Sequence, residues 1–184
     1  MKKAAVLLAD GFEEVEAITP IDFLRRAEIE VDVVGVTGKT VTGGHGISVR
    51  AGVKPKELVK NVDSYDAVIV PGGVGGAENI AASSETVGFI QNMMASGKLV
   101  AAICAAPALV LSPNGILQGK KATCYPGFEE KFTDAEFQAE RVVVDGNLIT
   151  SRGPGTAAEF AVAIIRYLEG DGKADEVHSG TLQK

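Results

Sequence analysis

Near the middle of the chain lies Leu99-Val100-Ala101-Ala102-Ile103-Cys104-Ala105-Ala106-Pro107, the stretch that decides the fold class. The small and branched apolar residues before Cys104 are typical of a buried strand, and the residues after Pro107 are typical of a helix start. A cysteine on a sharp strand-to-helix turn is held clear of the sheet, with backbone N–H groups directed at it. Cys104 is therefore either a nucleophile whose pKa these N–H groups lower, or a core cysteine at the end of a strand.

Short apolar runs alternate with helical patterns on both sides of this stretch. Strands are predicted at residues 4–9, 29–36, 66–70, 98–103 and 121–124, with a hairpin at 141–150. Helices are predicted at 14–27, 87–95 and 157–168, and Pro20 predicts a kink or a late start in the first of them. Strands separated by helices indicate a mostly parallel α/β sheet with helices on both faces. The turn-rich segment 38–52 is predicted to form a small excursion beside that sheet.

Composition predicts one soluble domain over residues 1–184. The chain has 46% hydrophobic and 23% charged residues, and its net charge of −6 argues against specific nucleic-acid binding and against binding to an anionic membrane. The apolar run 4–9 is too short for a signal peptide or a membrane span, so we expect it to be the first strand. Two cysteines, Cys104 and Cys124, are too few for a disulfide framework and suit a cytoplasmic location.

Three loops follow predicted strands, at residues 10–16, 71–76 and 104–107. Loops that follow parallel strands meet at the carboxyl edge of a sheet, where ligands bind, and this favours the nucleophile interpretation of Cys104. The N–H groups of Gly72 and Gly73 are suited to an oxyanion site beside the cysteine, although glycines also occur in turns for their φ/ψ freedom alone.

The acidic and imidazole side chains allow fewer conclusions. Glu13, Glu14 and Glu16 open the first helix, and we expect at least two of them only to complement the helix dipole, a small effect on stability. Neither His45, in the excursion, nor His178, in a polar tail, follows a predicted strand. The sequence therefore predicts no Cys-His-Asp triad and no clustered metal ligands.

Four blocks of sequence together resemble a known family. They are Leu8-Ala9-Asp10-Gly11-Phe12-Glu13-Glu14-Val15-Glu16, Val70-Pro71-Gly72-Gly73, Ala101-Ala102-Ile103-Cys104-Ala105-Ala106-Pro107 and Thr150-Ser151-Arg152-Gly153-Pro154-Gly155-Thr156. In this order and spacing they resemble the ThiJ/PfpI superfamily (class I glutamine amidotransferase-like), within it the Parkinson-associated protein deglycase branch that includes YajL. The resemblance implies a flavodoxin-like three-layer sandwich with a nucleophile elbow, and a homodimer. Apolar residues around several faces of the first helix also predict a dimer: Ile18, Ile21 and Phe23.

The resemblance also implies a set of site residues. By it, Cys104 is the reactive cysteine, Glu16 is the acid hydrogen-bonded to it, and oxyanion or substrate contacts come from Gly72, Gly73, Ala105, Arg152 and Pro154. The Thr-His-Pro motif found in some members is replaced here by Cys124-Tyr125-Pro126. Tyr125 and His45 are therefore candidate accessory residues, and whether Cys124 is a resolving thiol stays open.

The resemblance implies a cysteine-dependent stress-response protein. It would act on methylglyoxal or glyoxal, or on proteins and nucleotides glycated by them, as a protein deglycase or glutathione-independent glyoxalase. The thiolate adds to an aldehyde carbon while Glu16 moves the proton, without metal or organic cofactor. An alternative is a redox-sensing chaperone or regulator that works through oxidation of Cys104, with little turnover. A flavodoxin-like binding domain with an incidental cysteine is disfavoured because the phosphate-binding motifs are missing.

Overall fold

A mostly parallel sheet forms the centre of the structure, a computed structural model that describes residues 1–183. In chain order the strands are β1 (Lys3–Leu8), β2 (Glu30–Gly35), β3 (Thr40–Thr42), β4 (Ser48–Arg50), β5 (Ala67–Val70), β6 (Leu99–Ile103), β7 (Lys121–Ala122), β8 (Glu136–Phe137), β9 (Val142–Asp145) and β10 (Leu148–Ser151). The central sheet has the order β2-β1-β5-β6-β10-β9, and its strands run parallel except for β9 against β10. The predicted sheet and the hairpin at 141–150 are confirmed.

Helices cover both faces of this sheet. They are α1 (Glu14–Arg26), α2 (Pro55–Lys60), α3 (Val74–Ala81), α4 (Ser84–Ala95), α5 (Ala157–Glu169) and α6 (Asp171–Gly180). Successive residues of a strand point to opposite faces, so Val6 of β1 belongs to the core cluster that contains residues of α1, α5 and α6, while Leu7 belongs to the cluster that contains residues of α2, α3 and α4. Burying each large apolar side chain contributes about 1.5–3 kcal/mol, which stabilises both interfaces of the three-layer sandwich.

The first helix begins where the sequence predicted, at Glu14, and Pro20 does not delay it. Its apolar residues are distributed differently from the prediction. Of the three residues expected to form an exposed apolar surface, Ile21 and Phe23 are buried and only Ile18 is exposed, at 41%; the neighbouring Val15 is 49% exposed. The exposed pair leaves an apolar strip on the outer side of α1.

Three helices were not predicted: α2, α3 and α6. Glycines give the start of α3 a low helix propensity, yet Gly76 packs so closely on Phe12 that a Cβ there would lie 2.7 Å from the Phe12 Cα atom. Helix α6 places His178 on a helix rather than in a polar tail. After the cysteine, the expected helix is a single π-helical turn, Pro107–Leu111, followed by a 3₁₀ turn, Ser112–Asn114.

The excursion at 38–52 contains the β3–β4 hairpin, which lies against the loop after β1. Gly11 donates to the Thr42 carbonyl at 2.8 Å, and Gly44 donates to the Phe12 carbonyl at 2.8 Å. Among residues 1–183, no helix combines the length and apolar character needed to cross a membrane.

Candidate active site

Cys104 lies on a strained turn directly after β6. Its φ of 65° is in the left-handed region, which residues other than glycine seldom adopt and which costs about 1–3 kcal/mol. Its N–H donates to the Ser151 carbonyl at 2.9 Å, and its carbonyl accepts from Tyr125 N–H at 2.8 Å. The thiol is half-buried. This geometry is that of a nucleophile elbow.

Glu16 reaches the thiol from the first turns of α1. Its carboxyl is fully buried, and Oε2 accepts a hydrogen bond from Gly72 N–H at 2.9 Å. A Cβ placed on Gly72 would lie 2.5 Å from both Glu16 Oε2 and Cys104 Cβ, and 3.0 Å from Sγ. Gly72 therefore has no room for a side chain, and the acid and the thiol lie next to each other. Glu16 Oε1 has no hydrogen-bond partner within residues 1–183.

These two groups control each other's protonation. Burial raises the pKa of Glu16 to about 7, against the opposing hydrogen bonds from Cys104 and Gly72. Burial, and then the charge and hydrogen bond of Glu16, raise the pKa of Cys104 to about 12. The prediction of an easily ionised thiol is therefore wrong: burial is the largest cause of the raised pKa, and the charge of Glu16 adds to it. Two negative charges are strongly disfavoured side by side here, and a protonated Glu16 beside a thiolate is the arrangement that leaves the sulfur reactive.

Two backbone N–H groups face the sulfur. Those of Gly73 and Ala105 form hydrogen bonds that lower the Cys104 pKa, in opposition to burial. Gly73 has a φ of 79°, and a Cβ there would collide with the Gly11 carbonyl, so this position requires glycine. The two N–H groups are placed as the donors of an oxyanion hole would be.

The opposite side of the site is formed by Gly153 and Tyr125. A Cβ on the buried Gly153 would lie 3.1 Å from Tyr125 Cδ2 and 4.0 Å from Glu16 Oε1. The structure thus brings Tyr125 to the site. Gly153 belongs to the segment Thr150–Thr156 that carries the family resemblance, but within it only Arg152 and Pro154 were predicted to contact substrate.

Arg152 and Pro154 belong to the same loop but are directed elsewhere. The Arg152 guanidinium donates to the Ala139 carbonyl at 3.1 Å and lies over the Phe137 ring at 5.8 Å. Pro154 is exposed at the start of a 3₁₀ turn. A substrate contact from either residue stays a prediction.

His45 pairs with Glu14 rather than with Cys104. Its Nδ1 lies 2.8 Å from Glu14 Oε2, and its N–H donates to Oε1 at 2.7 Å. Burial raises the pKa of Glu14, but the hydrogen bonds from His45 and Ile47 outweigh it and lower that pKa to about 2. The hydrogen bond to Glu14 raises the pKa of His45. Glu14 therefore links the β3–β4 hairpin to the start of α1. This contact goes beyond the interaction with the helix dipole that the sequence predicted for it.

The fold also gathers possible metal ligands that looked scattered in the sequence. Ligand atoms of Glu13, Glu14 and His45 all lie within 4.8 Å of one another, so the expectation of no clustered ligands is wrong. Both Glu14 oxygens already accept hydrogen bonds in this cluster.

Cys124 is fully buried, and burial raises its pKa to about 12.

The site lies at the carboxyl ends of β1, β5 and β6, beside the point where the strand order reverses, the usual ligand position in doubly wound folds. The family model described as the DJ-1/PfpI family matches residues 2–167. The chain belongs to the DJ-1/PfpI family. The elbow, the buried acid and the glycine-rich loop all fall within this match.

Relatives from plants, animals and archaea share this region. The chain is 46% identical over 179 residues to protein DJ-1 homolog B of Arabidopsis thaliana, covering 96% of this chain and 40% of that protein. It is 40% identical to protein dj-1beta of Drosophila melanogaster (98% and 97% covered) and 36% identical to a deglycase of Pyrococcus abyssi (91% and 99% covered). The chain thus spans less than half of the Arabidopsis relative but nearly all of the other two.

Solved structures of the DJ-1/PfpI family have the same fold. The structure of oxidized Toxoplasma gondii DJ-1 superposes with a TM-score of 0.96 at 37% identity, covering 100% of this chain and 99% of the other. The flavodoxin-like α/β sandwich predicted from the resemblance is therefore confirmed.

Proposed function

We propose that this protein is a cysteine-dependent enzyme acting on methylglyoxal and glyoxal, or on the adducts they form with proteins and nucleotides, as a glutathione-independent glyoxalase or protein deglycase. The observation that carries this proposal is the buried Glu16, with a pKa of about 7, against a thiol on a strained elbow. A carboxyl that titrates near neutral pH is suited to accept and return protons. Support also comes from the Pyrococcus abyssi relative that is named a deglycase.

The chemistry begins with attack of the Cys104 sulfur on the aldehyde carbon. A bond forms between Sγ and carbon while the carbonyl electron pair moves to oxygen, where the Gly73 and Ala105 N–H groups stabilise the charge. The thiol proton passes through Glu16 to this oxygen and gives a hemithioacetal. Glu16 then takes the proton of the C–H group and returns it to the neighbouring carbonyl carbon, while the hemithioacetal hydroxyl proton passes to the oxygen of that carbonyl; the first carbon becomes the C=O of a thioester and the second carries a hydroxyl. Water cleaves the thioester to a 2-hydroxy acid and restores the thiol.

The test is methylglyoxal turnover, measured as lactate formed, for the wild type, Cys104→Ser and Cys124→Ala. Cys104→Ser is expected to lose turnover to background, because the hydroxyl is a far weaker nucleophile in the same position. Cys124→Ala is the matched control, since it also removes one thiol but at a fully buried position. Turnover by Cys104→Ser at more than a tenth of the wild-type rate contradicts the proposal.

A second function is favoured by the exposure of the two thiols. Cys104 is half-buried and Cys124 fully buried, so a peroxide reaches Cys104 more readily. A protonated Glu16 next to an oxidised sulfur is suited to donate a hydrogen bond to a sulfinate oxygen. In this alternative the protein is a redox-sensing chaperone or regulator. Suppression of client aggregation that appears only after oxidation, with no methylglyoxal turnover, would favour it.

We also propose a homodimer and a cytoplasmic location. Exposed apolar residues on α1 support the first. Two free cysteines in an acidic chain support a reducing compartment.

A further inference from the structure

Tyr125 is tied to the elbow through the backbone. Its N–H donates to the Cys104 carbonyl at 2.8 Å, and its own carbonyl accepts from Phe128 N–H at 3.1 Å. The Tyr125 and Phe128 rings make an edge contact, with centroids 6.4 Å apart and planes at 77°. The ring is therefore held beside the thiol site by its neighbours on both sides.

The ring packs closely against Gly153, which lies next to Glu16 Oε1. The Cβ position of Gly153 lies 3.1 and 3.4 Å from Tyr125 Cδ2 and Cε2, and 4.0 Å from Glu16 Oε1. Gly72, Gly73 and Gly153 contribute no side chains here, whereas Tyr125 places an aromatic ring beside Gly153. Tyr125 remains 45% exposed, which leaves part of the ring free to contact a bound molecule.

We propose that Tyr125 is a specificity-determining residue that selects α-oxoaldehydes with a flat apolar substituent over glyoxal, which has none. This inference rests on the proposed function and names the substrate class of the same site. While Sγ bonds to the aldehyde carbon and the proton passes through Glu16 to oxygen, the substituent on the second carbonyl lies against the Tyr125 ring. One aromatic contact changes binding by about three- to tenfold.

The experiment compares kcat/KM for phenylglyoxal and for glyoxal. In Tyr125→Ala the phenylglyoxal-to-glyoxal ratio is expected to fall about three- to tenfold, and in Tyr125→Phe it is expected to stay within twofold of the wild type. Tyr167→Ala is the matched control, because Tyr167 is similarly exposed, at 42%, on the distant α5. A ratio within twofold of the wild type in Tyr125→Ala overturns the inference.

A second readout separates this inference from the proposed function. Alkylation of Cys104 by iodoacetamide and by its N-phenyl derivative needs no turnover, and mass spectrometry measures both rates. Suppose that neither oxoaldehyde is turned over but Tyr125→Ala lowers the ratio of the N-phenyl alkylation rate to the iodoacetamide rate about three- to tenfold. The proposed function then fails, while the inference that the Tyr125 ring favours a flat apolar substituent holds. If turnover occurs and neither ratio changes, the inference fails alone. Thermal melting verifies that each variant is folded.

Discussion

At the scale of single residues, burial gives Glu16 a role in stability as well as in chemistry. The sequence led us to expect only the small dipole effect of an acid in a first turn. The structure instead places the carboxyl fully inside the protein, with one oxygen unpartnered. A charge there lacks water, which is why the pKa of Glu16 rises from 4.5 to about 7.

We therefore predict that Glu16→Gln changes stability in a pH-dependent way. A raised pKa means that the protonated carboxyl stabilises the fold fully below pH 4.5, and this contribution is lost as the pH rises through about 7. The free energy of unfolding of Glu16→Gln minus that of the wild type is therefore expected to be about 1–3 kcal/mol higher at pH 8.5 than at pH 4. Urea denaturation at both pH values measures this. Glu85→Gln, an exposed first-turn acid of α4, is the control, and an equal difference at both pH values contradicts the prediction.

The same substitution tests the chemical role of Glu16. Glutamine keeps a polar side chain of the same length but cannot accept the thiol proton. We expect methylglyoxal turnover to fall by at least about tenfold in Glu16→Gln, within the usual range for losing a general base. Glu16→Asp also lowers the rate, because it withdraws the acid by one methylene. Rates within twofold of the wild type for Glu16→Gln would leave Glu16 a structural residue only.

We predict that mild peroxide oxidises Cys104 before Cys124. Burial raises the pKa of both thiols to about 12, so access decides between them, and only Cys104 is partly exposed. The rate at Cys104 should increase with pH because the thiolate is the reactive form. Peptide mass mapping over a peroxide time course locates the added oxygen. Earlier modification of Cys124 would rule this out.

At the scale of secondary-structure elements, the β3–β4 hairpin and the start of α1 form one unit. Thr42 N–H donates to Asp10 Oδ1 at 2.8 Å, and Glu14 accepts from His45 and Ile47 across the same junction. Gly43 allows this approach, since a Cβ there would collide with the Glu14 carboxyl. The hairpin thereby holds the turn from which Glu16 enters the site.

Glu14→Gln is predicted to destabilise the protein by about 1.5–3 kcal/mol near neutral pH, the value of a hydrogen bond to a charged group. The lowered pKa of Glu14 gives stability above pH 4.5 that is lost as the pH falls toward about 2. The difference from the wild type should therefore shrink at pH 3, which denaturant titration at pH 7 and pH 3 measures. Glu13→Gln is the control, because its carboxylate approaches His45 only at 3.7 Å. A constant difference would contradict the assigned ion pair.

At the scale of the whole molecule, exposed apolar side chains gather at α1 and the tip of the hairpin. Val15, Ile18 and Ile47 are 49%, 41% and 56% exposed, and Ile47 N–H reaches Glu14 of the same helix. Ile21 and Phe23, which the sequence analysis counted toward the same surface, face the core instead. The exposed apolar strip on the outer side of α1, together with Ile47, is therefore the surface available for association with a second copy of the chain.

We predict a homodimer that this strip stabilises. Sedimentation at micromolar concentration is expected to give twice the 19.1 kDa chain mass. Ile18→Glu should shift the equilibrium to monomer because it buries an unpaired charge in the interface. Val59→Glu, at a 47% exposed position on α2, is the matched control and should stay dimeric. A monomeric wild type would refute the prediction.

The sequence by itself determined the strands of the central sheet, the helices α1, α4 and α5, the mostly parallel arrangement and the cysteine at the end of β6. These features depend on local patterns. Alternating apolar runs define strands, and the Cys104-Ala105-Ala106-Pro107 turn follows directly from the strand before it. Because loops after parallel strands meet at one edge, the convergence of Gly72, Gly73 and Cys104 also followed from the order of elements.

Only the tertiary structure decided which of the three acids at the start of the first helix are buried and what each of them contacts. Glu13, Glu14 and Glu16 look alike in the sequence, yet Glu13 occupies the N-cap position without a side-chain capping hydrogen bond, Glu14 holds a hairpin and Glu16 lies next to the thiol. The tertiary structure alone also decided that Gly153 lies close to Tyr125 and Glu16, and that the pKa of Cys104 is raised. The physical reason is that pKa values and close contacts depend on desolvation by distant segments, and a local pattern carries no information about that environment.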